Sequence, residues 1–203
     1  MILKQLDYDW RYFFKTYLKF SKPTSKVIEI GASELSKTDN LGKHCQSLTG
    51  IELYKNRLPK NHKNITYLQA DWQSLTKKLP KKSFDILISS HTIEHIQNDL
   101  EAINQSYMVL KPGGVALLLT PNRQRLIRAV FEIFSGPRKF PQWEHVREYT
   151  ESDLINLLSQ SHFSKYEINP LIFGIHAYLA IFTYKVPKIF RKYANYWEII
   201  LYK

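Results

Sequence analysis

Val27-Ile28-Glu29-Ile30-Gly31 is an apolar run interrupted by one acid and stopped by a glycine. It is too short for a stable helix and rich in β-branched residues, so it reads as a buried strand. A glycine at a strand end has no Cβ, and the backbone there can pass close to a ligand. Together with Lys26, the run predicts a strand over 26–30.

Outward from this strand, strand-like and helix-like stretches alternate. Ser47–Glu52, Ile65–Gln69, Phe84–Ser90 and Val115–Thr120 are further strand candidates. Asn98–Leu110 carries Leu100, Ile103, Tyr107 and Leu110 at helical spacing, and Lys111-Pro112-Gly113-Gly114 stops that helix and turns the chain. Thr150 and Asp153 form a capping-box pattern ahead of Leu154, Leu157 and Leu158. Lys165–Phe173 and Tyr196–Tyr202 complete a set of seven strands. This alternation predicts an α/β fold: a Rossmann-like, doubly wound, mostly parallel seven-stranded sheet with helices on both faces.

A chain of 203 residues suits one domain with a sizeable core. Residues 1–25 read as an N-terminal helical extension, 26–122 as a ligand-binding half and 150–203 as the completion of the sheet. Between them, 123–149 breaks the alternation with Gly136-Pro137, Phe140-Pro141 and the cations Arg123, Arg125, Arg128, Arg138 and Lys139. An insertion there follows the fifth strand. Ligands of open α/β sheets bind beyond the carboxyl ends of the strands, so this segment is the candidate substrate lid.

Five segments carry chemistry. The first is Glu29 with Gly31. Glu52 follows Glu29 by 23 residues, at the end of the next strand, where a carboxylate can accept both hydroxyls of a ribose. Asp71-Trp72 follows the third strand; the carboxylate can accept from an adenine amine and the indole can stack on its face. The fourth segment is Ser89-Ser90-His91-Thr92-Ile93-Glu94-His95, and the fifth is Leu110-Lys111-Pro112-Gly113-Gly114 before a strand. Each alone is weak; their order and spacing decide.

Taken together, Val27–Phe163 resembles the class I S-adenosylmethionine-dependent methyltransferases, and within them the small-molecule group with a Ser-x-His-x-x-Glu-His motif. The resemblance covers about two thirds of the chain. It implies S-adenosylmethionine as cofactor, with Glu29, Gly31, Ala32, Ser33, Glu52, Leu53, Asp71, Trp72, Ser90 and His91 around it. Thr120-Pro121-Asn122 matches the end of the fifth strand, and Glu144-His145-Val146-Arg147-Glu148-Tyr149 resembles the segment such enzymes place near the acceptor. One departure is Ser33, which stands where the family has a second glycine, followed by a long polar loop over Glu34–Asn40.

Methyl transfer from a sulfonium needs alignment above all, and an oxygen acceptor must also lose a proton, which suits histidine. His145 and His91 are the catalytic candidates. His145 and Arg147 are the candidates for substrate binding, although Arg147 also reads as a salt-bridge partner of Glu144 or Glu148. His95 reads as packing on the following helix. His91–His95 matches the H-x-x-E-H pattern of inverted zinc peptidases literally, but it comes directly after a buried strand, where two histidines one helical turn apart are not expected. No metal is expected.

The single cysteine, Cys45, excludes an internal disulfide and a multi-cysteine zinc site. Met1–Phe20 has no apolar leader, and Leu171–Tyr184 is too short to span a bilayer, so it reads as a soluble or interfacial segment. The net charge is +11. Residues 1–26 and 165–203 each carry six basic and two acidic side chains, and both ends are aromatic. Basic and aromatic ends suit a packed core beneath a solvated face, or peripheral contact with an anionic membrane. A cytoplasmic location, with membrane association, is the expectation. The acceptor is expected to be a small or lipid-linked molecule methylated at oxygen. An RNA methyltransferase is the first alternative, but there is no added RNA-binding segment and no Asn-Pro-Pro-Tyr motif; nucleic acid is not the expected partner. A catalytically inactive binding module, motivated by Ser33, is the second.

Overall fold

The computed structural model describes residues 8–135, 145–175, 179–182 and 186–203. Seven strands form the main sheet. They are β1 (Lys26–Ile30), β2 (Ser47–Glu52), β3 (Ile65–Gln69), β4 (Phe84–Ser90), β5 (Leu110–Pro121), β6 (Lys165–Leu171) and β9 (Tyr196–Tyr202). Their order is β3-β2-β1-β4-β5-β9-β6. β1 to β5 pair in parallel, and β9 runs antiparallel to both β5 and β6. β7 (Phe173–Ile175) and β8 (Leu179–Phe182) form a separate antiparallel pair.

Period-2 alternation builds two cores, one on each face of the sheet. On one face Ile28, Leu87, Ala116 and Leu118 pack with Trp72, with Ala102 and Ile103 of α3 (Asp99–Val109), and with Leu154 and Leu158 of α5 (Glu151–Ser159). On the other face Val27, Ile86, Ile88, Leu117 and Leu119 pack with Trp10, Phe13 and Tyr17 of α1 (Tyr8–Phe20) and with Leu41 of α2 (Leu35–Gly42). The aromatic side chains of the N-terminal segment that are described in this core are therefore packed against the sheet, not offered to a membrane. Tyr17 Oη donates to the Leu41 carbonyl at 3.0 Å and ties α1 to α2.

Helix ends follow local chemistry. Asn98 Oδ1 accepts from Glu101 N at the start of α3, and the Thr150–Asp153 capping box forms at α5 as the sequence predicts. Three expectations change. The polar stretch after Ser33 is not a loop: Leu35–Gly42 is helical, with Thr38, Leu41 and Gly42 buried. Lys111–Gly114 is not a plain turn. β5 already begins at Leu110 and pairs with Phe84, and the register shifts between Phe84 and Ile86 as the glycines pass. The expected strand 165–173 breaks at Ile172, whose φ is +59°, and so divides into β6 and β7.

In the insertion, α4 (Leu126–Ser135) is helical, and 136–144 lie outside the described residues, as do 176–178 and 183–185 of the Leu171–Tyr184 stretch. Among the described residues no helix is long and apolar enough to cross a membrane.

Candidate active site

The chain winds outward from β1 to β3 and then crosses to β4 and β5, so its direction of winding reverses between β1 and β4. A crevice forms at such a switch point, beyond the carboxyl ends of the strands. Here it is a cavity of about 820 Å³, the size of a cofactor site.

One end of the cavity is built from the ends of β1, β2 and β3. Gly31 has φ +78°, and a Cβ added to it would lie 2.5 Å from Thr92 Oγ1. No other residue type fits without displacing Thr92. Ser33 lies on the cavity wall and is not among the residues of positive φ. The backbone therefore does not require the second glycine there. Glu52, 7% exposed at the end of β2, accepts from Tyr54 N at 3.0 Å. Asp71 caps the short 3-10 helix Trp72–Lys77, accepting from Gln73 N at 2.8 Å. Both carboxylates line the cavity, together with Leu53, Tyr54 and Arg57.

Glu29 lies deeper. Burial pushes its carboxyl up to about 7, against the hydrogen bond from Thr38 and the charge of Lys37, and its Oε2 has no hydrogen-bond partner among the described residues.

Two of the sequence-predicted residues differ from expectation. Ala32 is fully buried against Gly50 and is not part of the lining. Trp72 reaches the cavity wall but is 2% exposed, and its Nε1 donates to Ser106 Oγ at 2.8 Å. Its indole is a fixed element of the core, not a free stacking platform.

The other end of the cavity is formed by Ser90, His91, Thr92, His95, Ile96, Gln97, His145 and Val146, with Trp10 of α1. His91 has φ +53°, and its Nε2 lies 2.7 Å from Asp9 Oδ2 and its Nδ1 3.4 Å from Glu94 Oε1. Burial alone would push the imidazole down, but the hydrogen bonds and charges of Asp9 and Glu94 outweigh it and hold the ring up at about 9. Held in that form the ring has no lone pair to accept a proton, which disfavours His91 as a general base near neutral pH. Only the 3-10 turn Ile93–His95 is helical here. The H-x-x-E-H pattern therefore lacks the α-helical turn that zinc peptidase geometry needs.

His145 lies on the cavity wall. Its Nδ1 lies 3.4 Å from Glu148 Oε1, and its ring meets that of His95 edge-on at 4.7 Å between centroids. With the proton on Nδ1 directed to Glu148, the lone pair falls on Nε2. Glu148 is itself held by Arg125 and Arg128, at 2.6 and 2.8 Å. Arg125 and Arg128 of the insertion thus support the segment that carries His145.

Arg147 does not line the cavity. It pairs with Asp99 and donates to the Gln97 carbonyl at 2.7 Å, and Tyr149 Oη donates to the same Asp99 at 2.8 Å. The salt bridge expected of Arg147 is present, with a partner not anticipated, Asp99. His95 is the reverse case: it faces the cavity. Trp10, Asp9 and Lys37 were also not anticipated. They come from helices whose sequence periodicity reports only their buried face.

A glycine-ended strand, acids at the ends of the next two strands and a cleft beyond them are the arrangement of the class I S-adenosylmethionine-dependent methyltransferase fold. The profile of the family described as "Methyltransferase domain" matches residues 2–167, and the chain belongs to that family. It is 30% identical over 125 residues to the mitochondrial ubiquinone biosynthesis O-methyltransferase of Rattus norvegicus, covering 56% of this chain and 36% of that one. The chain thus spans well under two thirds of the length of this curated relative. Among solved structures, a methyltransferase from Archaeoglobus fulgidus superposes with a TM-score of 0.70 at 17% identity, over 95% of this chain and 92% of the other. The N-methyltransferase NodS of Bradyrhizobium japonicum, solved with S-adenosyl-L-homocysteine, superposes with a TM-score of 0.62 at 16% identity, over 98% and 88%.

The residues present suit the cofactor. The space left by the missing Cβ of Gly31, the carboxylates of Glu52 and Asp71, and the orphaned Oε2 of Glu29 are what a nucleoside with a cationic tail requires.

Proposed function

We propose that this protein transfers a methyl group from S-adenosylmethionine to an oxygen of a small or lipid-linked acceptor. The observation that carries the proposal is the His145–Glu148 pair, which presents an imidazole beside His95 at the acceptor end of the cavity. The printed name of the rat relative, an O-methyltransferase of ubiquinone biosynthesis, supports oxygen as the acceptor atom.

In this reading Glu52 accepts the ribose hydroxyls and Asp71 the adenine amine. Glu29 supplies negative charge near the cationic tail, and Gly31, Ser33, Leu53 and Ser90 shape the remaining wall. The bound cofactor supplies a methyl group made electrophilic by its sulfonium. The chain's own task is to align the acceptor hydroxyl with that methyl and remove its proton. Alignment can supply several kcal/mol. His145 Nε2 takes the hydroxyl proton, with Glu148 holding the ring, a role worth about 10²–10⁴ in rate. His91 acts as a fixed cation bracing the floor.

A lipid-linked acceptor is supported by apolar side chains left in solvent. Ile133 and Phe134 of α4 are 78% and 85% exposed, and Ile189 is 78% exposed beside Lys188 and Lys192. α4 and the 188–193 turn both pack on β7, with Phe173 stacked on Phe190 at 4.5 Å. Apolar side chains beside lysines suit peripheral contact with an anionic membrane surface.

The deciding experiment pairs calorimetry with mass spectrometry of cell extracts incubated with methyl-labelled cofactor. Micromolar binding of S-adenosylmethionine and one labelled O-methyl product are expected. No heat at millimolar cofactor would end the enzyme reading. A labelled RNA would replace the acceptor class. In His145→Ala, cofactor binding persists and turnover falls; unchanged turnover removes His145 from the reaction.

A further inference from the structure

We propose that Glu94, His95 and His145 form a binding site for a divalent transition-metal cation at the acceptor end of the cavity. The juxtaposition is tertiary: Glu94 and His95 belong to the turn after β4, and His145 comes fifty residues later. One ligand atom from each of the three lies within 4.8 Å of the others. Donors around such a cation, at about 2.0–2.2 Å from it, stand about 3.4 Å apart. Small rotations of the side chains would close the set.

Three observations make this more than a coincidence of residue types. First, Glu94 is fully buried, and among the described residues its Oε1 has only a long ion-pair contact, 3.4 Å to His91 Nδ1, with no hydrogen bond of ordinary length. A buried carboxylate oxygen left in that state is costly and is relieved by a cation. Second, the support of ligands is already built. Glu148 stands behind His145 at Nδ1, the arrangement that orients metal-bound histidines and fixes the lone pair on Nε2. Thr120 Oγ1 donates to Glu94 Oε2 at 3.1 Å and fixes the carboxylate. Third, the backbone amides of Val146 and Arg147 donate to the Glu94 carbonyl at 2.9 and 3.2 Å, which locks the two ligand segments together.

Two imidazoles and one carboxylate favour zinc, manganese, cobalt or iron over magnesium or calcium, which take oxygen-rich sites. Three protein ligands leave coordination positions open. Both histidines line the cavity, so an acceptor hydroxyl can fill one of them. The charge of His91 stands beside Glu94 and opposes the cation, but it is balanced on its other side by Asp9 at 2.7 Å.

The inference rests on the reading that the acceptor hydroxyl meets this wall. In the cation-free chain His145 serves that hydroxyl directly. With the cation bound, the lone pair of His145 is engaged, and the coordinated hydroxyl, made more acidic, gives its proton to solvent.

The test uses the full chain, stripped with chelator and dialysed. It is titrated with ZnCl2 or MnCl2 alone, by calorimetry, and with CoCl2, by visible absorption. One cation per chain at micromolar affinity is expected. Affinity should fall at least tenfold in His95→Ala and in His145→Ala, while His62→Ala, a histidine that does not line the cavity, keeps it. Thermal melts in the absence of cation check that the variants fold, and Glu94→Gln is the substitute if either alanine variant does not. No binding at millimolar cation, or equal binding in wild type and folded variants, overturns the site. A parallel titration with S-adenosylmethionine separates that failure from failure of the methyltransferase reading, because the cofactor does not need the three ligands.

Discussion

The carboxylate of Asp9, in the first turn of α1, lies 2.7 Å from Nε2 of His91, 82 residues later at the end of β4. One ion pair therefore joins the N-terminal helix to the floor of the cavity, and the same imidazole reaches Glu94 on its other side. The helix is part of the site through this contact and through Trp10, which lines the cavity beside it.

This pair gives stability a defined pH dependence. His91 is held at about 9 in the folded chain, against 6.5 ordinarily. A raised histidine contributes fully below pH 6.5, and its contribution is lost as pH rises through about 9. The ceiling is about 3 kcal/mol, reduced because the ring is partly solvent-exposed. Denaturant midpoints should decline between pH 6.5 and 9 in wild type and less steeply in Asp9→Asn. NMR titration should move His91 below 9 in that variant; an unmoved titration would refute the assignment.

Glu29 works in the opposite charge sense over a lower window. Its carboxyl is raised from 4.5 to about 7 by burial. The folded chain thus binds the proton more tightly than the unfolded one. Stability is full below pH 4.5 and is lost as pH rises through about 7. Glu29→Gln should remove this slope and raise stability at pH 8 by about 1–3 kcal/mol. Urea melts across pH 5–8 check it. If the cofactor's cationic tail lies near Glu29, binding at pH 6 should also release protons, visible as buffer-dependent heats.

The two carboxylates on the nucleoside side should separate cleanly. Glu52→Ala is expected to abolish cofactor binding measurable by calorimetry, and Asp71→Asn to weaken it about tenfold, about 1.4 kcal/mol. Asparagine is chosen at 71 because it still accepts from Gln73 N, which alanine cannot do. Equal affinity for wild type and Glu52→Ala would contradict the placement of the ribose.

Glu148 anchors two arginines and one histidine from almost complete burial. Removing one partner of a buried pair costs about 3–5 kcal/mol, because the other charge stays behind. Glu148→Gln should therefore lower the melting temperature and reduce turnover while leaving cofactor affinity within twofold. Arg128→Met, which removes a cation but leaves Arg125, should cost less. Intact turnover in a folded Glu148→Gln protein would show that His145 needs no carboxylate behind it.

Much of the framework was legible in the residues. The strands 26–30, 47–52, 65–69, 84–90 and 196–202 have the bounds read from apolar runs and their breakers; for the inner parallel strands 26–30 and 84–90 the reason is burial on both faces, which writes a strand as a short apolar block. Where two local signals compete, the sheet overrides the turn signal. The Pro-Gly-Gly sequence at 112–114 is a strong turn signal, yet the sheet draws it into β5. The polar residues at 34–40 hide the first turns of α2, a helix whose apolar side is set by packing on β2 and α1.

The sequence by itself determined the order of the elements, the cavity residues Gly31, Glu52 and Asp71 at the strand ends, and the family. These depend on residues close together in the chain or at the ends of consecutive strands, where spacing carries the information. Only the tertiary structure decided the surroundings of the histidines. The Asp9 carboxylate favours the protonated form of His91, Glu148 lies beside His145 Nδ1, and His95 meets His145 at the cavity, through contacts 82 and 50 residues apart in the chain or across a tight turn. Those contacts leave no periodic trace, because the charge and lone pairs of an imidazole are set by its neighbours in space and not by its neighbours in the chain.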